Sequence, residues 1–132
     1  MGWLQKIFAG TPKVMPTSAN DETFDALIAG SDLPIVIDFW SPTCGPCRTL
    51  EPVIIDLATT YQGKVLVVEV NTAQATAAAR RFSVMATPTV VYLRGGREVE
   101  RVVGFRGSLY HKEVIDTELL GDVEASEPTP AS

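Results

Sequence analysis

The chain contains two cysteines, Cys44 and Cys47, which are separated by a Gly-Pro pair. Two thiols at this spacing can serve as half of a zinc site, as a structural disulfide or as a reversible redox dithiol. Zinc normally takes four ligands, and because His111 is the single histidine, a zinc site would need residues from a second subunit. A disulfide that closes so short a loop removes little chain entropy from the unfolded state. The pair therefore favours redox chemistry, and we expect no bound metal.

The residues around the cysteines place them at the start of a helix. The segment 33–40, LPIVIDFW, is almost fully apolar and is typical of a strand buried on both faces of a sheet. A helix is predicted after it. At a helix N-terminus the unpaired N–H groups and the helix dipole favour a thiolate at Cys44. Pro46 costs no hydrogen bond in a first turn, and Cys47 shares a helix face with Cys44.

The rest of the chain alternates helical and strand-forming segments. Crossover helices imply parallel strands, whereas Gly95-Gly96 between two β-rich runs predicts an antiparallel hairpin. We therefore predict an α/β fold, with a central mixed β-sheet that is flanked by helices on both faces. The predicted elements are a helix at 20–29 capped by Ser18 or Asn20, a strand at 33–40, a helix at 49–63 kinked at Pro52, a strand at 64–70, a helix at 72–82, a hairpin at 89–105 and a helix at 108–119.

Composition limits the domain organisation and the partners. The chain has 132 residues, of which 45% are apolar, and this suits one domain with its own core. A net charge of -5 argues against nucleic acid as the main partner, since phosphate binding needs a basic face. We expect an N-terminal extension with a possible first strand at 1–17, a folded domain at 18–120 and an acidic, disordered tail at 121–132. A monomer is the default expectation.

The N-terminal sequence MGWLQKIFAGTPK lacks the long apolar core and the cleavage site of a secretory signal. We therefore expect a cytoplasmic protein. One alternative is a short helix whose apolar face, formed by Trp3, Leu4, Ile7 and Phe8, touches a membrane or a partner. A loosely packed extension is the simpler interpretation, and we expect no membrane contact.

The segment DFWSPTCGPCR, residues 38–48, resembles the active-site segment of the thioredoxin family. The resemblance extends from about Phe24 to Leu120 and includes Pro52, the Thr87-Pro88-Thr89 triplet and Gly104. It implies the thioredoxin fold and a thiol–disulfide oxidoreductase that reduces protein disulfides. The chain has no phosphate loop and no dinucleotide fingerprint, so we expect no bound cofactor. Its electrons would then come from a thioredoxin-reductase-type partner.

The resemblance also implies roles for individual residues. Cys44 would attack the disulfide of a partner protein, and Cys47 would resolve the resulting mixed disulfide. Asp38, the one charge in the buried strand, would help to take the proton from Cys47. Pro88 matches the family's cis-proline, which pairs with substrate backbone. The other residues implied to face the substrate are Trp40, Gly45, Pro46, Thr87 and Gly104.

Two positions depart from the family's usual pattern. Thr43 stands where the family usually has Trp, so the apolar contact surface is reduced, and Thr43 is a candidate cap for the following helix. Glu69 stands where some members carry Lys, and Glu51 also falls near the site. If both glutamates approach Asp38, their charge adds to burial and raises its pKa. We expect Asp38 to titrate well above an ordinary aspartate.

Two other functions remain open at this point. One is a disulfide oxidase or isomerase of an oxidising compartment, and the Gly45-Pro46 pair and the absence of a secretory signal argue against it. The other is a docking module that uses the fold without catalysis. An intact cysteine pair with Asp38 argues against that function, because docking alone does not need these residues.

His111 lies on the last predicted helix, which the family fold places far from the cysteines. A single histidine in such a position is most often an ordinary surface residue. We therefore expect His111 to be exposed and to have no function.

Overall fold

The computed structural model describes residues 12–121, which contain a five-stranded mixed sheet. The strands are β1 (Thr17–Ala19), β2 (Ile35–Trp40), β3 (Leu66–Asn71), β4 (Thr89–Arg94) and β5 (Arg97–Val103). Their order across the sheet is β1-β3-β2-β4-β5. β1, β3 and β2 run parallel, and β4 and β5 are antiparallel to their neighbours. The predicted mixed sheet is confirmed.

The helices follow the predicted pattern, but the first and third are shorter than predicted and the second begins four residues earlier. They are α1 (Phe24–Ala29), α2 (Gly45–Thr60), α3 (Thr76–Arg81) and α4 (Ser108–Val114), and α4 continues into a π-helical turn over Ile115–Leu119. Two asparagines explain the late starts of α1 and α3. The Oδ1 atom of Asn20 accepts hydrogen bonds from the backbone N–H groups of Glu22 and Thr23. The Oδ1 atom of Asn71 accepts a hydrogen bond from the backbone N–H of Ala73. Each asparagine therefore stabilises a turn that precedes its helix.

The sheet separates two apolar cores, and helices cover both faces. On one face Val36 and Val90 pack with Leu50 of α2 and with Ile115. On the other face a second set of buried residues includes members of α1 and α3, and it comprises Ala19, Phe24, Ile28, Ile35, Ile37, Phe39, Val68, Val70, Ala75, Ala78, Val91 and Leu93. Residues of β2 therefore point alternately to the two faces, as expected for a strand in the middle of a sheet.

The hairpin between β4 and β5 turns at two glycines, as the sequence predicts. Gly95 and Gly96 have φ values of 61° and 80°, a region that residues with a side chain rarely adopt. β4 pairs with β2 so that Thr89 lies beside Phe39. Because β4 is antiparallel to β2, the residues before Thr89 lie at the same edge of the sheet as the residues after Trp40. This topology brings Pro88 to the cysteine segment.

His111 is fully buried, and the prediction that it is exposed is wrong. His111, Ile115 and Leu119 are spaced by four residues, so they share the face that packs against the sheet. The His111 Nδ1 atom is hydrogen-bonded to the hydroxyl of Tyr92, which is itself fully buried on β4. This hydrogen bond pairs one ring nitrogen within the apolar core, whereas Nε2 has no partner among the described residues.

The predicted apolar face of Trp3, Leu4, Ile7 and Phe8 lies outside the described residues, as does the predicted acidic tail from residue 122 onward. β1 begins at Thr17, the last residue of the predicted extension. Before it, the backbone N–H of Val14 donates a hydrogen bond of 2.8 Å to the hydroxyl of Thr59 on α2. Between residues 12 and 121, none of the helices is both long enough and apolar enough to cross a membrane.

Candidate active site

The two cysteines lie at the N-terminus of α2 and form a disulfide, with their Cα atoms 5.3 Å apart. Cys44 is the N-cap residue, and its Sγ atom accepts a hydrogen bond of 3.2 Å from the backbone N–H of Cys47. Pro46 lies in the first turn, where it leaves no N–H unpaired. Thr43 was a candidate cap, and that suggestion is wrong because the sulfur of Cys44 occupies the capping position. The partial positive charge of a helix N-terminus stabilises negative charge on a neighbouring sulfur, here that of Cys44.

The two sulfurs differ in their access to solvent. Cys44 is partly exposed, whereas Cys47 is buried with 6% of its surface accessible. A molecule that approaches from solvent therefore meets Cys44 first. Cys47 faces inward, towards the end of β2.

A loop that ends in a cis-proline lies against Cys44. The Thr87–Pro88 peptide bond is cis, as the resemblance implied. The carbonyl oxygen of Thr87 lies 3.5 Å from Cys44 Sγ, and the hydroxyl of Thr87 lies 3.3 Å from that of Ser41. The backbone N–H of Gly104 donates a hydrogen bond of 2.9 Å to the carbonyl of Pro88. Gly104 has a φ of 92°, which explains the glycine at this position.

A cavity of about 230 Å³ lies behind the disulfide. Cys47 and Asp38 both line it, together with Trp40, Glu51 and Glu69. Asp38 is 5% exposed, and its Oδ1 atom has no hydrogen-bond partner among the described residues. A buried carboxylate oxygen without a partner is costly, and such groups concentrate at functional sites.

Burial raises the pKa of Asp38 to about 7, and the negative charges of Glu69 and then Glu51 add to this effect. Glu69 is the direct neighbour of Asp38 across the β2–β3 pair. The hydroxyl of Ser18 on β1 donates a hydrogen bond to Glu69 Oε2. The expectation that Asp38 titrates well above an ordinary aspartate is confirmed, with the causes that the sequence suggested.

Some residues at the site did not stand out in the sequence. Ser41 contacts Thr87 and lines the cavity, and Arg48 donates a hydrogen bond of 3.4 Å to the carbonyl of Pro42. Their proximity to the cysteines along the chain is the only sequence signal for them. Within residues 12–121 no group of three or more His, Cys, Asp or Glu residues is arranged to hold a metal ion.

The sequence model of the thioredoxin family matches residues 15–116, which include the disulfide, Asp38, the cis-proline and Gly104. The chain belongs to the thioredoxin family. It is a thiol–disulfide oxidoreductase, and its redox-active pair is the Cys44–Cys47 disulfide.

Similar proteins come from cyanobacteria and plants. Thioredoxin 1 of Nostoc sp. is 42% identical over 85 residues, which are 64% of this chain and 79% of the relative. Thioredoxin of Synechocystis sp. is 38% identical over 96 residues, or 73% of this chain and 85% of the relative. The chloroplastic M-type thioredoxin of Pisum sativum is 38% identical over 85 residues, or 64% of this chain and 49% of the relative. The match therefore spans most of the bacterial relatives but about half of the chloroplast protein.

Proposed function

We propose that the protein reduces disulfides in other proteins, with Cys44 as the nucleophile and Cys47 as the resolving thiol. The observation that carries this proposal is the asymmetry of the site. One sulfur is open to solvent beside the cis-proline loop, and the other is buried beside a carboxyl group with a raised pKa. The first position suits attack on a protein substrate, and the second suits an intramolecular step that is protected from solvent.

The reaction transfers two electrons in two exchange steps. In the reduced protein the Cys44 thiolate attacks one sulfur of the partner's disulfide, which forms a mixed disulfide and releases the partner's other sulfur as a thiolate. The Cys47 thiolate then attacks Cys44 Sγ. This second step forms the Cys44–Cys47 disulfide seen in the structure and releases the fully reduced partner.

Asp38 is proposed to accept the proton that Cys47 loses before the second step. Both residues line the same cavity, which has room for bridging water. A group with a pKa of about 7 can take and return a proton at neutral pH, because neither form is strongly favoured. Asp38 would therefore act on the resolving step.

The substrate is proposed to bind across Cys44 and the cis-proline loop. Trp40 lines the cavity, the carbonyl of Thr87 lies against Cys44, and Gly104 is hydrogen-bonded to Pro88. Gly45 and Pro46, both exposed, complete the proposed surface. The substrate backbone would run along the loop, with the sulfur under attack above Cys44.

Recycling needs a separate source of two electrons, which we assign to a thioredoxin-reductase-type partner. A reductase works in a compartment that keeps thiols reduced, and the cytoplasm is the proposed location.

Trapping tests the proposed roles. In Cys47→Ser the second step is removed, so covalent mixed disulfides between Cys44 and partner proteins should accumulate and disappear on addition of dithiothreitol. Cys44→Ser is the matched control and should trap none. Equal trapping by both variants would contradict the assignment of nucleophile, and no trapping by Cys47→Ser would favour a docking module.

A further inference from the structure

Large apolar side chains are exposed in the two segments that meet at the cis-proline, the loop before Pro88 and the segment 103–110. Of the exposed large apolar residues between 12 and 121, more than half lie in the cis-proline loop or in the segment 103–110. Their exposed fractions run from 40% to 92%. We call this set the apolar patch, and it consists of Met85, Val103, Phe105, Leu109 and Tyr110.

The apolar patch adjoins the reactive sulfur. Met85 lies two residues before Thr87, whose carbonyl oxygen is 3.5 Å from Cys44 Sγ. Phe105 directly follows Gly104, which is hydrogen-bonded to the carbonyl of Pro88. A partner whose disulfide reaches Cys44 from this side therefore meets the apolar patch at the same time.

One cation lies within the apolar patch. The guanidinium of Arg106 lies over the ring of Tyr110, with Cζ 4.7 Å from the ring centroid. Arg106 is exposed and forms no salt bridge with the described residues. The segments 82–97 and 101–112 contain no Asp or Glu, although the whole chain has a net charge of -5.

The cavity beside Asp38 is acidic, in contrast to the surroundings of Arg106. Glu51 and Glu69 line the cavity beside Asp38, and the position before Cys44 carries a threonine rather than an aromatic ring. A carboxylate on a partner would be repelled at this cavity and attracted at Arg106. Added salt screens both effects, which are largest when the partner's carboxylate lies within the Debye length of about 8 Å at physiological ionic strength.

Building on the proposed function, we propose that the apolar patch and Arg106 select protein disulfides that are flanked by an apolar side chain and a carboxylate. The apolar side chain packs against Phe105 and Met85, and the carboxylate pairs with Arg106. The acidic cavity wall fixes the orientation, so the carboxylate lies on the cis-proline side of Cys44. Phe105 and Arg106 are thus specificity-determining residues, whereas Cys44 and Cys47 perform the exchange.

The test uses the pre-reduced full chain and three peptide disulfides that differ only in the two residues beside one cysteine: Leu-Glu, Leu-Lys and Ser-Glu. We expect the second-order rate constant for Leu-Glu to exceed that for Leu-Lys about tenfold, and Arg106→Glu to reverse the order. Phe105→Ala should lower the rate with Leu-Glu about fivefold and leave that with Ser-Glu unchanged. Raising the salt to 0.5 M should reduce the Leu-Glu preference.

Matched controls separate local recognition from general effects. Arg97→Glu reverses an exposed charge at the other end of β5, and Val99→Ala truncates an exposed apolar residue of that strand. Both should behave as the wild type. Equal rates with all three peptides, or equal effects of Arg97→Glu and Arg106→Glu, would overturn the proposal. So would self-association that Phe105→Ala abolishes, because the apolar patch would then bind a second copy.

A small neutral disulfide, bis(2-hydroxyethyl) disulfide, has neither an apolar side chain nor a carboxylate and therefore reports on the exchange chemistry itself. The control variants Arg97→Glu and Val99→Ala should reduce it at the wild-type rate. If the wild type reduced neither this compound nor any peptide, the proposed function would fail. If it reduced them all without selection, the exchange would stand and the specificity proposal alone would fail.

Discussion

Asp38 and His111 are both ionisable residues buried on the same face of the sheet, but they lie in different surroundings. Each has one buried polar atom without a hydrogen-bond partner among the described residues, Oδ1 of Asp38 and Nε2 of His111, but only Asp38 lines the cavity that contains Cys47. His111 is hydrogen-bonded to Tyr92 and lies in the apolar core beside Ile115. Burial of an ionisable group therefore does not mark a functional residue by itself. The open cavity and the neighbouring disulfide distinguish Asp38.

The two residues also have opposite effects on stability as the pH changes. Burial raises the pKa of Asp38 from 3.8 to about 7, so the folded state binds this proton more tightly than the unfolded state. The favourable contribution of Asp38 to the free energy of unfolding is complete below pH 3.8 and is lost as the pH rises through 7. Burial lowers the pKa of His111 from 6.5 to about 4, so its contribution is complete above pH 6.5 and is lost as the pH falls through 4. Between about pH 4 and 6.5 the two effects oppose each other.

The largest expected effect comes from Asp38→Asn. At pH 8 the oxidised variant should be more stable than the wild type by up to about 4 kcal/mol, because the cost of ionising a buried carboxyl group is removed. The gain should shrink as the pH falls and should vanish near pH 4. Urea unfolding of the oxidised proteins from pH 4 to pH 8 measures it. A constant difference at every pH would show that Asp38 does not titrate as proposed.

The second-largest expected effect is that of the double variant Tyr92→Phe/His111→Leu, which replaces the buried polar pair by apolar residues. The wild type should lose up to about 3 kcal/mol relative to the double variant as the pH falls from 7 to 4, because only the wild type must keep a buried imidazole neutral. The same unfolding series measures the loss. The exchange rate with a small disulfide at pH 7 should stay unchanged, which separates the structural pair from the catalytic one. A stability difference that does not change with pH would contradict the lowered pKa of His111. Loss of the exchange rate would contradict the purely structural role of the Tyr92–His111 pair.

Tyr92→Phe alone should cost about 1–3 kcal/mol at pH 7, because the imidazole nitrogen of His111 is then left buried without its hydroxyl partner. Adding His111→Leu should recover part of this loss. Urea unfolding of the single and double variants checks both statements. A single variant as stable as the wild type would mean that the hydrogen bond contributes nothing.

The smallest expected effect is that of Glu69→Gln. Glutamine removes the charge beside Asp38 and can still accept the hydrogen bond from Ser18, so the pKa of Asp38 should fall and the stability at pH 8 should rise by roughly 0.5–1 kcal/mol. Glu51→Gln should act in the same direction but less. NMR titration of the Asp38 carboxyl group gives both shifts. Equal pKa values in wild type and Glu69→Gln would contradict the electrostatic account.

Much of the fold and the site could be predicted from local sequence patterns. The buried strands are apolar runs, the hairpin turns at two glycines, and the cysteines follow a strand at the start of a helix. Asp38 could be identified because it is the single charge in an otherwise apolar strand. These features depend on short segments, and in such segments the type of side chain decides the structure.

Features that depend on contacts between distant segments were harder to predict. His111 is predicted to be exposed because a single histidine on a helix far from the cysteines is most often a surface residue, and only its four-residue spacing from Ile115 and Leu119 indicates the buried face. The partner of His111, Tyr92, lies on a strand 19 residues earlier. The cap on α2 was also missed, because Thr43 is a common capping residue and the sulfur of Cys44 is not. In both cases tertiary contacts or unusual chemistry outweighed residue preference.

The reduction potential of the Cys44–Cys47 pair tests the central claim, that the protein reduces disulfides, most directly. It is measured by equilibrating the protein with defined ratios of oxidised and reduced dithiothreitol or glutathione. We predict a value near about -270 mV, the range of thioredoxin, in which the dithiol readily donates electrons. A value above about -200 mV would contradict the claim, because the pair would then donate disulfides rather than reduce them.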